Sequence, residues 1–121
     1  GYTCANDLTA ADAARDDGGA HGRAKSWDTA CPLGPWITVG GDFDPDNAEI
    51  SVRVNGEERG SGSTSQMGYS VARIVSYVSG ICTLLPGDVI LTGTPAGGPL
   101  KHGERVEVEV AGIGTLTNLA M

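Results

Sequence analysis

With 121 residues, 15 acidic against 8 basic side chains and a net charge of −7, the chain is sized for one domain. It is a poor partner for nucleic acid, whose phosphates need clustered Lys and Arg. Cys4, Cys31 and Cys82 are widely spaced with no C-x-x-C pair, which argues against a disulfide framework or a thiolate zinc site and fits a reducing, cytoplasmic setting. No apolar run approaches the length of a membrane span, and with one Phe, two Trp and three Tyr the core must rest on Val, Ile, Leu and Ala.

Gly1–Asn6 reads as a short strand entering the core. Thr9 is placed to cap a short helix over Ala10–Arg15, with Asp12 in its first turn, where the helix dipole favours an acid. Asp16–Gly22 (DDGGAHG) reads as a loop, either a flap or a solvated turn. Three polar residues of this first block are hard to explain as solvated surface: Asp7, Lys25 and Thr29. A carboxylate at a strand end, met by a lysine returning through a Gly-rich loop, suits a hard divalent metal beside a group that steadies developing negative charge. From spacing alone a surface salt bridge is the favoured reading.

Cys31–Trp36 (CPLGPW) reads as a compact turn, followed by a short strand over Ile37–Val39. Asp42, Asp44 and Asp46 alternate in calcium-loop fashion. However, the sixth and twelfth places of an EF-hand, which need Gly and Glu, hold Asn47 and Arg53, so the segment reads as a solvated acidic loop. Glu49–Val54 alternates as a strand, Asn55-Gly56 marks a type I′ hairpin, and Glu57–Gly60 returns before a polar loop at Ser61–Ser65.

Ser70 is placed to cap a helix over Val71–Ser79 that ends at Gly80. Its apolar face, Val71, Ile74, Val75 and Val78, is expected in the core. Pro86-Gly87-Asp88 turns into Val89-Ile90-Leu91, an apolar run expected of a buried strand. The Gly-rich Thr92–Gly98 loop after it has no P-loop pattern. Val106, Val108 and Val110 alternate with Glu107 and Glu109 as a strand with one wet face, and Thr115–Asn118 pairs back on it.

Five stretches occur in order along the chain: GYTCANDLTAAD, GRAKSWDTACPLGPW, VNGEERGSGSTSQM, LLPGDVILTGTPAGG and HGERVEVEVAGIGTLTN. Together they resemble the fumarylacetoacetate hydrolase family, and more closely its short bacterial and mitochondrial members, the acylpyruvate hydrolases and hydroxyheptadienedioate isomerases. The resemblance implies a mixed α/β, strand-dominated β-roll with few short helices. Residues 1–121 would be the C-terminal portion of one catalytic domain, incomplete at its N-terminus, because the family's E-x-E carboxylates and its His–Glu segment precede the strand that Gly1 opens.

The activity implied is divalent-metal-dependent hydrolysis of C–C bonds in 2-oxo or 1,3-dicarbonyl acids of aromatic catabolism, with sibling isomerases and decarboxylases as the alternative. A degenerate, non-catalytic binding or assembly module is a further one. The cofactor would be Mg²⁺ or Mn²⁺, the partner a small 2-oxo or dicarbonyl acid, and the full-length protein a homodimer. By resemblance Asp7 is a metal ligand, Lys25 the active-site lysine, Thr29 a group behind the metal, and Thr94 with Gly93 a substrate contact. Glu107 and Glu109 are not the family's E-x-E pair, and neither His21 nor His102 matches its histidine. Where the family reads S-A-R-D this chain has Thr9-Ala10-Ala11-Asp12, so Ala11 replaces an Arg, and Ala14 replaces a frequent Gln. An Arg fork for a carboxylate has no substitute in alanine.

Overall fold

The computed structural model describes residues 1–121. Two antiparallel sheets and three short helices make up the regular structure, a strand-dominated α/β arrangement as the sequence implies. Strand β1 (Tyr2–Ala5) pairs with β2 (Leu33–Thr38), and a four-stranded sheet runs in the order β4 (Glu57–Ser63), β3 (Glu49–Val54), β5 (Arg105–Val110), β6 (Gly114–Leu119). Helices α1 (Ala11–Asp16) and α2 (Gly22–Lys25) follow β1, and α3 (Val71–Ser79) follows β4. None of these helices is long and apolar enough to cross a membrane.

The core lies between the two sheets. Cys4 from β1 packs with Ala48, Val108, Val110, Ile113 and Leu116, flanked by Phe43 and Ile50. Alternation on β5 is complete: Val106, Val108 and Val110 are buried while Glu107 and Glu109 take the other face. That face is wet but not empty, because Arg53 on β3 donates to Glu109 at 2.7 Å and Arg105 approaches Glu107 at 3.6 Å.

The Asn55-Gly56 turn forms as expected, with φ of 54° and 84° at its two central residues. Helix α3 also starts where the sequence places it: Ser70 Oγ accepts from the Arg73 amide at 3.3 Å, and Asp46 Oδ1 accepts from the Val71 amide at 2.7 Å. Asp46 therefore caps a helix, and Asp44 accepts from the Asp46 amide, so these acids serve turn and helix and build no calcium loop.

Several sequence expectations need correction. Strand β2 starts at Leu33, inside the segment read as a turn, because only one edge of β2 is paired, where missing proline donors are tolerated. Strand β4 continues to Ser63, since β3 offers it a full partner as far as Glu49. Helix α1 begins one residue later than expected, and its N-cap is Ala10, with no side-chain cap from Thr9. Gly22, assigned to a loop, opens α2.

Two further departures matter more. No residue of α3 is buried, so its apolar face is not core in these 121 residues. Val89–Leu91 forms no strand, and Val89 and Leu91 are 52 % and 39 % exposed, because no neighbouring strand lies alongside to take up their backbone groups.

Candidate functional site

Asp7 leaves the end of β1 on a stretch that stays hydrogen-bonded after the regular strand stops. Asn6 donates to the Pro32 carbonyl at 3.1 Å, Leu8 to Ala30 at 2.9 Å and Ala10 to Ala24 at 2.9 Å. Alternate amides thus hold residues 6–10 against residues 24–32, and Asp7 sits between two of the anchored positions. Ala24, fully buried, is the pivot: its carbonyl accepts both from Ala10 and from Trp27 Nε1, the latter at 3.0 Å. This pair of hydrogen bonds fixes the end of α2, and with it Lys25, whose ammonium donates to the Asp7 carboxylate. The two residues therefore meet across a loop between them, and both side chains remain more than a third exposed.

The intervening loop is tied internally. Arg23 forks onto both carboxylate oxygens of Asp17, at 2.9 and 3.0 Å, and Gly19 donates to the Ala14 carbonyl at 2.8 Å. The Asp17 carboxylate holds the Arg23 guanidinium above its ordinary pKa. Asp12 is taken by Arg15 within α1, and His21 and His102 are exposed.

Thr29 follows in a turn that Ala30 closes by donating to the Trp27 carbonyl at 3.1 Å. It occupies the left-handed position of that turn, with φ of 67°, which glycine or asparagine takes more readily than a β-branched side chain. Its exposed side chain makes no hydrogen bond within the chain.

Gly93 and Thr94 lie elsewhere. They line a cleft of about 410 Å³ with Ile50, Ser63, Met67, Tyr69 and Ile74, and neither Asp7 nor Lys25 is part of its wall. Thr94 Oγ1 donates to the Ala96 carbonyl at 2.6 Å and accepts from its amide at 3.3 Å, which sets the turn. The structure thus joins Asp7 to Lys25 and leaves Thr94 and Gly93 on a separate surface.

The cleft also contains residues that sequence reasoning passed over. Ser63 and Gln66 form a reciprocal capping box beside Thr94, and their S-x-x-Q spacing is the signal that would have found them. A second omission is Asn6, whose Nδ2 is buried without an acceptor immediately before Asp7.

Asp7 has no cluster of further carboxylate, imidazole or thiol groups beside it. No three His, Cys, Asp or Glu side chains converge anywhere in the chain, and a magnesium site requires several oxygen donors. These residues by themselves do not fit a resident divalent ion.

Residues 1–119 match the family described as "Fumarylacetoacetate (FAA) hydrolase C-terminal". The chain belongs to the fumarylacetoacetate hydrolase family. It is similar to the solved structure of 5-carboxymethyl-2-hydroxymuconate delta-isomerase from Mycobacterium smegmatis, at 51 % identity and a TM-score of 0.91. That likeness covers 98 % of this chain and 47 % of the other. A fumarylacetoacetate hydrolase from Exiguobacterium antarcticum shares 42 % identity with a TM-score of 0.91, over 99 % of this chain and 46 % of its own. The human mitochondrial oxaloacetate tautomerase FAHD2A is 41 % identical over 128 aligned residues, 98 % of this chain and 41 % of that protein. The chain spans about half the length of the curated relatives it matches. Within this fumarylacetoacetate hydrolase family, then, hydrolase, isomerase and tautomerase chemistries all accompany close relatives of these residues.

Proposed function

We infer that these 121 residues are the C-terminal part of the catalytic domain of a divalent-metal-dependent enzyme acting on 2-oxo or 1,3-dicarbonyl acids. The observation that carries this reading is the Asp7–Lys25 pair: a carboxylate and an ammonium brought together by backbone bonds, yet left open to a ligand. Asp7 would be one of several carboxylates on Mg²⁺ or Mn²⁺, the others coming from sequence outside these residues. When bound, such an ion supplies Lewis-acid polarisation and a template for chelating a 2-oxo acid.

The role of this chain's own groups follows from their chemistry. The Lys25 ammonium, a compact point charge on a flexible stem, places positive charge where an enolate oxygen gains negative charge. Thr29 supports the metal side of the site, and Thr94 with Gly93, on the separate cleft, would contact the far end of a substrate that spans both surfaces. Such an arrangement serves C–C bond hydrolysis in aromatic catabolism, and equally an isomerase, tautomerase or decarboxylase, because all of these pass charge through an enolate. The substrate-bearing protein would be a cytoplasmic homodimer.

Calorimetric titration with Mg²⁺ and an assay on an acylpyruvate test the reading. Both are performed on this chain and on a chimera in which it replaces the matched stretch of the M. smegmatis isomerase. Metal binding and turnover in the chimera alone, abolished by Asp7→Ala and by Lys25→Ala, are expected. Full activity in either variant overturns it.

A second reading, a non-catalytic binding or assembly module, is favoured by one observation: Ala11 lies exposed at the start of α1 and offers no cation at the place of the Arg in the S-A-R-D pattern that the resemblance implies. In that case the chimera is inactive and the Ala11→Arg, Ala14→Gln pair restores turnover.

A further inference from the structure

The chain has four asparagines, and they differ in what stands next to the carboxamide. Asparagine is thermolabile because the main-chain nitrogen of the following residue can attack its carboxamide carbon. An exposed side chain, an unengaged amide and the lack of a neighbouring Cβ all help that attack. Asn6 is followed by Asp7, and its Nδ2 is buried. Asn47 is exposed, but the Ala48 amide after it already donates to Thr64 Oγ1 at 2.8 Å. Asn118 precedes Leu119, which is paired with Arg105 in the β5–β6 ladder.

Asn55 meets every condition. It and Gly56 are exposed at the tip of the β3–β4 hairpin, and a Cβ on Gly56 would meet nothing within 4 Å. The Gly56 amide makes no main-chain hydrogen bond. The engaged atom of the Asn55 carboxamide is its oxygen: Oδ1 accepts from the Arg105 amide at 2.9 Å, while the Asn55 amide donates to the Arg105 carbonyl at 2.8 Å. A side-chain oxygen thus stands in for a main-chain carbonyl and carries the β3–β5 pairing one residue past Val54, as the chain turns away at φ of 54°. Donation to Oδ1 also polarises the carbonyl that is to be attacked. The nearest counterpart, Asp17-Gly18, is protected: the Gly18 amide donates to the Arg15 carbonyl at 3.1 Å, and Arg23 holds both Asp17 oxygens.

We propose that Asn55 is a self-modification site, at which the hairpin tip cyclises and deamidates without another protein. The Gly56 nitrogen bonds to Asn55 Cγ, the Cγ–Nδ2 bond breaks, and the Gly56 amide proton passes through solvent to the leaving nitrogen, which departs as ammonia. A succinimide remains, and one water opens it. Cleavage between Cγ and the Gly56 nitrogen leaves aspartate with the original main chain. Cleavage at the α-carbonyl leaves isoaspartate, with the main chain running through Cγ. Either way water is exchanged for ammonia, and nothing is oxidised or reduced.

The two products part at Arg105. Aspartate still offers a side-chain oxygen to the Arg105 amide, and a carboxylate is the stronger acceptor. Isoaspartate adds a main-chain carbon to a two-residue turn whose twist matches its strands, and it sets the carboxylate directly on Cα, short of Arg105. It therefore opens the end of the β3–β5 ladder beside buried Val54 and Val106. The inference concerns the ageing of the hairpin and stands whether or not the enzyme reading holds.

The test is incubation of the folded chain at mildly alkaline pH, followed by peptide mapping that separates aspartate from isoaspartate. Conversion is expected at Asn55 into both products, faster as pH rises, with Asn6, Asn47, Asn118 and Asp17 left intact. Gly56→Ala, which sets a Cβ beside the attacking nitrogen, should lose most of the conversion. Asn55→Asp should melt with the untreated chain, whereas the isolated isoaspartyl fraction should melt below it. Equal conversion at Asn47 or Asn118 would overturn the proposal. So would an intact Asn55 in the folded chain after the same chain in urea has been converted, undiminished conversion in Gly56→Ala, or an isoaspartyl fraction that melts with the untreated chain.

Discussion

Lys25 reaches Asp7 although eighteen positions separate them, and the contact is set by main-chain bonds around Ala24 rather than by the two charges. The distinction has a measurable consequence. A pair with side chains 36 % and 40 % exposed contributes about 0–1 kcal/mol to stability, and added salt screens it further. Asp7→Ala and Lys25→Ala should therefore each shift the urea midpoint only slightly, while removing turnover in the chimera. A loss above about 2 kcal/mol in either variant would mean that the pair holds the fold together and is not kept for a ligand.

Thr29 makes the opposite trade. A β-branched residue at φ of 67° is strained, and the left-handed region costs an L-residue about 1–2 kcal/mol. Glycine removes that cost and gives back part of it through a more flexible unfolded chain. Thr29→Gly should thus raise stability by roughly 1 kcal/mol in denaturant melts. If the hydroxyl serves the metal side of the site, the same variant weakens Mg²⁺ binding by the chimera. Stabilisation with unchanged metal affinity would leave the threonine without a role there.

How far the sequence could be read depended on whether the deciding interaction was local. The Asn55-Gly56 turn, the Ser70 cap and the Val106–Val110 alternation each rest on residues within a few positions of one another, and all three appear as read. The strand at Val89–Leu91 failed because apolar composition reports a preference for pairing and not the presence of a partner. The start of strand β2 was misplaced for a related reason: two prolines signal a turn unless one edge is known to be free. At the site, family motifs singled out Asp7 and Lys25, which the structure brings together, whereas their spacing could not distinguish a site from a salt bridge. The anchoring through Ala24 and Trp27 has no sequence signal at all, since it uses backbone carbonyls.

The Thr92–Ala96 turn packs against β4 where Gly60 and Gly62 lack side chains. A methyl on Gly60 would stand 2.7 Å from the Ala96 Cβ, a distance that forces either β4 or the turn to move. Gly60→Ala should cost about 1–3 kcal/mol, the usual penalty of overpacking, and should loosen the cleft that Thr94 lines. Gly68→Ala is the control: nothing lies within 4 Å of its added carbon, so its effect should stay within about 0.5 kcal/mol. Comparable losses in the two variants would show a general glycine effect and not a contact with Ala96.

Cys4 offers a test of the core by pH. Its thiol is buried at 1 % exposure, donates to the Gly114 carbonyl at 3.3 Å, and is raised above its ordinary pKa of 9.0, first by desolvation. Cys31 and Cys82 are exposed. A thiol-specific reagent at pH 8 should therefore modify two cysteines quickly and the third only as the chain unfolds, because the thiolate is the reactive form. The sign of the stability effect follows from proton binding. Above pH 9 the unfolded chain gives up the Cys4 proton while the folded chain retains it, so the folded state binds more protons and loses stability as pH rises. Below that pH the thiol is neutral in both states and contributes no slope. Urea midpoints should be flat with respect to this group from pH 7 to about 8.5 and fall beyond it, and Cys4→Ala should remove that part of the fall while costing packing at every pH. An unchanged alkaline slope in Cys4→Ala would show that other groups account for the loss and that the thiol titrates as it does in water.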